Sequence, residues 1–151
     1  NSILLIVGSG SEYGNLEKMS HNNKNIQLVG ESNDVLKYLH ISDYYISASL
    51  GEGLPNAVLE GMSTGLPCLL SDIPSHKEIL KNSNAGILFK NNNIQDLKDK
   101  LKELEKLDLN KLSKNSSNHI EKYFSARKMS KQYQKLYKKI IKDTSEDKLQ
   151  N

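Results

Sequence analysis

The chain has 151 residues and a formal net charge of +3, enough length for one domain with a hydrophobic core. Its opening apolar run, Ile3–Val7, is too short for a signal-peptide core or a membrane span. The single cysteine, Cys68, excludes an internal disulfide, and the four histidines show no metal-ligand spacing with it or with one another, so no zinc site is expected.

The chain opens on Asn1 and runs directly into Ile3–Val7, which reads as a buried strand and marks the chain as a piece of a longer protein. A helical pattern follows at Glu12–Ser20. A strand is expected at Ile26–Val29, a helix at Asp34–His40, and a strand at Tyr44–Ala48. Then come a helix at Pro55–Thr64, a strand at Pro67–Leu70 containing the apolar Cys68, a helix at Ser75–Leu80 and a strand at Gly86–Phe89. Short, continuously apolar strands alternating with helices indicate an α/β fold, a parallel sheet with helices on both faces. After the Asn91-Asn92-Asn93 turn the pattern is wholly helical. Ile94, Leu97, Leu101 and Leu104 mark one apolar stripe, a second helix is expected at Leu109–Tyr123, and a third at about Ser125–Lys142. The domain is therefore placed at residues 1–142, with a polar, disordered tail over 143–151.

Charge follows this division. Residues 1–75 carry three Lys against eight Asp and Glu, whereas residues 76–151 carry eighteen Lys and Arg against ten acids. The last helix is the most basic, with eight Lys/Arg and one acid over residues 119–142. It reads first as a docking helix with a solvated basic face. Contact with an anionic membrane is the alternative. Nucleic acid is not expected as a partner, because Tyr133 and Tyr137 fall on the apolar stripe rather than among the lysines.

The chemistry concentrates in Ser49–Pro67. A strand ends near Ser49, a glycine turn follows, and a short helix starts at Pro55, which suits a first helical turn because its missing N–H needs no partner there. Gly65 and Pro67 stop the helix. In a parallel sheet such a turn lies at the carboxyl edge, where ligands bind. The free N–H groups and dipole of the helix favour an anion there, and Gly51 and Gly53 would let backbone approach it closely. Glu60 is the only charged residue from Gly53 to Ser71, on a helix that reads as buried nearly all round. A carboxylate there belongs to a solvated stripe, is structurally paired with a Lys, or lines a polar cleft and accepts hydrogen bonds from ligand hydroxyls. Glu52 either makes a local turn or capping interaction, with Ser49-x-x-Glu52 as a possible capping box, or faces the same groove as Glu60, which lies about two turns along from the helix start.

This segment resembles the Glu-x7-Glu signature of the glycosyl transferases group 1, also called glycosyltransferase family 4, which have the two-Rossmann GT-B fold. Ser49, Glu52, Gly53, Glu60, Met62, Gly65 and Pro67 match in register, and Gly61 replaces the family's usual Ala. Val7-Gly8-Ser9-Gly10, Val29-Gly30, Ser42-Asp43-Tyr44, Ser71-Asp72 with Glu78, Ala85–Leu88 and Phe124-Ser125 resemble other parts of the same domain. The resemblance implies a Rossmann-like nucleotide-sugar (donor) domain, C-terminal helices after it, and no need for a divalent metal. It implies that Glu60 binds ribose hydroxyls and that Glu52, the candidate catalytic residue, contacts the donor sugar. Backbone N–H groups of Gly53, Leu54 and Asn56 would meet the sugar or diphosphate, with Gly10, Gly30 and Gly51 at turns lining the donor.

The same resemblance implies that the usual first strand–helix unit, with its phosphate-binding Arg and Lys, and the N-terminal acceptor domain are absent from this chain. The isolated chain is then expected to bind donor weakly and not to turn over. The full-length protein reads as a retaining hexosyltransferase serving a polysaccharide or glycolipid acceptor, cytoplasmic and at the inner face of the membrane where the basic helix touches it. A sugar-nucleotide epimerase of the same fold and a non-catalytic nucleotide-binding module are the competing readings.

Overall fold

Residues 2–147 are described by a computed structural model, with side chains through Lys142. The chain divides into two compact units, Asn1–Asp43 and Tyr44–Asn151.

In the first unit β1 (Leu4–Val7) pairs in parallel with β2 (Ile26–Gly30). Between them lies α1 (Tyr13–Ser20), and α2 (Leu36–His40) follows. The register runs Leu4↔Ile26 to Ile6↔Leu28, then shifts so that Val7 faces Gly30. Gly30 has φ +76°, a left-handed conformation that glycine adopts at no steric cost, and its carbonyl accepts from Gly8 N at 2.7 Å. The expectation of a buried first strand needs correction: Ile3 and Leu4 are exposed, Leu5 to Val7 are half-buried, and Leu39 alone reaches the buried class among the unit's described residues. Apolar composition identified the strand but not its covering, because a two-stranded ribbon gives its residues few neighbours.

In the second unit β3 (Tyr45–Ser47), β4 (Cys68–Ser71) and β5 (Gly86–Phe89) form a parallel sheet in that order. The central β4 is buried at every residue. Strand alternation sends Cys68 and Leu70 to one face, where they meet Val58, Met62, Ile79 and Ile120. Those residues come from α3 (Asn56–Ser63), α4 (Pro74–Leu80) and α6 (Leu109–Tyr123). Leu69 and Phe89 point to the other face and meet Leu104 and Leu112, with Leu97 and Leu101 beside them, mainly from α5 (Ile94–Leu104). The class is thus α/β, with parallel strands, helices on both faces of the second sheet and helices at the C-terminal end, as the alternation of elements predicts.

Two details of this unit position the motif. At the end of α3, Leu66 N donates to Gly61 O (3.1 Å) and Gly65 N to Met62 O (3.0 Å), with Gly65 at φ +89°. This is a glycine-terminated helix stop of the Schellman type. There α6 crosses: Ser116 Oγ donates to Leu66 O at 2.7 Å. Burial of the α5 stripe grows along the helix, from exposed Ile94 through half-buried Leu97 and Leu101 to fully buried Leu104. The last helix, α7, runs Ala126–Asp147. Its backbone stays helical for five residues past the expected end at Lys142, and the rest of the expected tail, residues 148–151, lies outside the described residues. Met129, Tyr133, Leu136, Tyr137, Ile140 and Ile141 are all exposed along it.

Candidate functional site

The motif occupies the carboxyl end of β3 and the start of α3. Within it Ser49 is the organising residue. Its hydroxyl donates to Glu52 Oε1, and Ser47 Oγ lies 3.1 Å from it. Its carbonyl accepts from Ser71 Oγ, at the end of β4, at 2.6 Å. The Ser49–Glu52 pair is therefore not a capping box. It joins two side chains, and α3 begins only at Asn56.

Pro55 is the N-cap of α3 rather than its first helical residue, with ψ 80° and no side chain to offer the helix. The amide of Asn56 is already engaged, donating to Leu54 O at 2.9 Å, and Val58 N and Leu59 N reach back to Pro55 O. Among the described residues, Gly53, Leu54 and Ala57 keep amides with no hydrogen-bond partner. The amides of Gly53, Leu54 and Ala57 are thus open at the start of α3, whereas that of Asn56 is engaged within the chain. Neither Gly51 nor Gly53 has a left-handed φ, and a Cβ at either would meet nothing within 4 Å. Neither backbone strain nor a neighbouring atom accounts for glycine at these two positions.

The expectation that α3 is buried nearly all round is also corrected. Asn56, Ala57, Glu60 and Ser63 form one exposed face, while Val58, Gly61 and Met62 are buried. Spacings of one, four and seven place the exposed four together. Glu60 stands on this open face, and among the described residues its carboxylate has no hydrogen-bond or ion-pair partner. The structural-pair reading of Glu60 fails on this point, and its exposure fits both a solvated stripe and a ligand contact.

Tyr45, which the sequence did not single out, packs its ring on α3 at Gly61. A Cβ built at Gly61 would lie 2.7 Å from Tyr45 Cδ2 and 2.9 Å from Cγ. Burial first, then the Cys68 thiol and the Glu52 and Glu60 carboxylates push the Tyr45 phenol up to about 12. The Tyr45 hydroxyl on β3 therefore feels the charge of both motif carboxylates, Glu52 in the turn and Glu60 on α3. Asp72, just past β4, accepts from Asn91 N at 3.0 Å and lies 3.5 Å from Lys77 Nζ. These partners, the Asn91 amide foremost, hold its carboxyl below the usual range. Gly10 and Gly30 belong to the first unit, where Gly10 O accepts from Tyr13 N at 3.1 Å at the entry to α1. Among the described residues no three His, Cys, Asp or Glu side chains gather into a metal-binding cluster.

This parallel α/β fold is shared by solved glycosyltransferase structures. A glycosyltransferase from Rickettsia africae is 25% identical with a TM-score of 0.82, over 94% of this chain and 41% of that one. Staphylococcus aureus TarM, solved in complex with fondaparinux, alpha-GlcNAc-glycerol and UDP, is 23% identical with a TM-score of 0.80, over 89% of this chain and 29% of that one. The sequence profile of the Glycosyl transferases group 1 matches residues 1–127, and the chain belongs to this family. Among curated relatives, the Escherichia coli UDP-Gal:alpha-D-GlcNAc-diphosphoundecaprenol alpha-1,3-galactosyltransferase is 34% identical over 142 residues, which is 91% of this chain and 37% of the relative. The chain thus spans well under half the length of these proteins.

Proposed function

We propose that this chain is the donor-binding half of a retaining glycosyltransferase, one that moves a hexose from a nucleotide-diphosphate sugar to a polysaccharide or glycolipid acceptor. The observation that carries the reading is Glu60, a carboxylate without a partner among the described residues on the open face of α3, beside the turn that holds Glu52. In this reading Glu60 accepts from the ribose hydroxyls and Glu52 from hydroxyls of the donor sugar. The amides of Gly53, Leu54 and Ala57 meet the negative oxygens between them, with the positive end of α3 behind them. Such fixed donors stabilise the diphosphate as it leaves, the main electrostatic task of the reaction. Gly51 and Gly53 are explained by the same ligand, since a side chain there would stand between it and the backbone.

The acceptor part of the proposal follows the relatives, one of which is named for a diphosphoundecaprenol-linked substrate. It extends to contact between α7 and an anionic membrane at the cytoplasmic face, supported by seven Lys/Arg from Arg127 to Lys142 with an exposed apolar stripe beside them. Among the described residues no helix is long and apolar enough to cross a membrane. Sedimentation with phosphatidylglycerol vesicles against phosphatidylcholine vesicles tests this extension, and equal partition would defeat it.

Ligand-observed NMR with UDP-, GDP- and ADP-sugars tests the core of the proposal. One nucleotide sugar is expected to give saturation transfer, and Glu60→Ala to weaken its binding by about 1–3 kcal/mol. Thermal stability should stay within about 0.5 kcal/mol, because an exposed side chain without a protein partner is removed. Absence of transfer from every nucleotide sugar would leave a non-catalytic module as the better description.

A further inference from the structure

Glu52 is exposed, yet its carboxylate is tied to the interior of the second unit. Ser49 Oγ donates to it, and the Ser49 carbonyl accepts from Ser71 Oγ at 2.6 Å. Ser71 is fully buried, and so is His76 on α4. His76 Nδ1 lies 2.9 Å from Ser71 O and 3.2 Å from Ser71 Oγ.

Acceptor-only groups fix every proton in this chain of contacts. The Ser71 carbonyl can only accept, so His76 Nδ1 carries a hydrogen. The Ser49 carbonyl can only accept, so the Ser71 hydroxyl points its hydrogen there and meets Nδ1–H with a lone pair. The Glu52 carboxylate accepts from Ser49, so Ser47 is the donor to Ser49. No hydroxyl in the series keeps a free rotor: the imidazole and the Ser71 hydroxyl fix the Ser49 backbone through its carbonyl, and a separate bond from the Ser49 hydroxyl holds the carboxylate.

A histidine is a poor choice for filling this space alone. Its Nε2 is buried with no partner among the described residues, a cost that an apolar side chain of similar size would avoid. What His76 supplies and a leucine would not is the Nδ1–H at Ser71.

We propose that His76 and Ser71 are positioning residues for Glu52: the imidazole orients the Ser71 hydroxyl, that hydroxyl holds the Ser49 carbonyl, and Ser49 presents the carboxylate. The consequence for ligand binding rests on the reading of Glu52 as a contact of the donor sugar. The placement of Glu52 itself does not.

The test compares the wild-type chain with Ser71→Ala, His76→Leu, His76→Asn and Glu52→Ala. Asn carries an N–H near the position of Nδ1, whereas Leu does not. The ligand-free readout is the side-chain carboxyl carbon resonance of Glu52, expected to move in S71A and H76L and to return toward wild type in H76N. The ligand readout is affinity for UDP-galactose against UDP. S71A and H76L are expected to weaken UDP-galactose about fivefold to tenfold, leaving UDP unchanged, with H76N restoring most of the loss. An unmoved Glu52 resonance in S71A, or H76N as damaging as H76L, overturns the positioning role. Should H76L fail to fold, S71A and H76N still decide. If E52A leaves the UDP-galactose to UDP ratio unchanged while S71A moves the Glu52 resonance, the donor-sugar reading fails and the positioning role stands.

Discussion

Gly61→Ala is the substitution that would restore the family's usual residue, and in this chain it should destabilise. Two effects oppose. Replacing Gly by Ala inside a helix favours folding by about 1 kcal/mol. Against this, the new Cβ would stand 2.7, 2.9 and 3.3 Å from Tyr45 Cδ2, Cγ and Cε2, where carbon atoms prefer about 3.5–4.0 Å. The ring would have to retreat by about 1 Å, but it is packed against the cluster containing Val58, Met62, Cys68 and Leu70. Overpacking of this kind costs about 1–3 kcal/mol, so the net loss is about 1 kcal/mol. The argument is sharpened by the partner: in a Tyr45→Val background the ring is gone, only the helix term acts, and Gly61→Ala should stabilise by about 1 kcal/mol. Urea unfolding of the four proteins gives the coupling directly, expected near 2 kcal/mol. If Gly61→Ala stabilises by the same amount in both backgrounds, the ring does not select the glycine and the explanation is wrong.

Three further outcomes follow from the same unit. Tyr45 holds its proton more tightly folded than unfolded, so its contribution is fully present below pH 10.0 and is lost as the pH rises toward about 12; tyrosinate absorbance should show one late-titrating phenol, and Tyr45→Phe should remove that alkaline loss of stability. Cys68 is buried and its thiol is pushed up by that burial, so a thiol reagent should leave the native chain unmodified and react only on unfolding, with a fast native reaction showing that β4 opens locally. Gly86→Ala would drive a Cβ into the Cys68 carbonyl across the β4–β5 pairing. It should cost more than about 3 kcal/mol, and a circular dichroism melt close to wild type would contradict that packing.

The sequence was most legible where cause and effect are close together in the chain. Gly86–Phe89 and Leu109–Tyr123 are observed with the expected limits, since an apolar run bounded by Asn and Gly, or a long stripe at three and four, leaves few alternatives. The stop at Gly65 was readable for the same reason, because its bonds reach back only as far as Gly61. Reading α3 as buried all round failed because composition was counted without asking where each residue points. Ala57 is apolar by type, yet it shares the exposed face with Asn56, Glu60 and Ser63, and a small residue reports little about burial.

What could not be read is what holds the motif in place. Ser71 reaches Ser49 across 22 positions, and Tyr45 meets Gly61 only once β3 and α3 have packed. No local period encodes either contact. In sequence Gly61 is a mild departure that loosens a helix. In the fold it makes room for a ring whose hydroxyl feels Glu52 and Glu60 together. Likewise nothing in Pro74-Ser75-His76-Lys77 marks His76, whereas it is fully buried and its ring meets the Ser71 that holds the Ser49 backbone. A local pattern names the groups that would face a ligand. The pairing of strands 20 or so residues apart decides whether those groups are held where a ligand would need them, and for that reason the variants of Ser71 and His76 test the site more severely than any change within the motif.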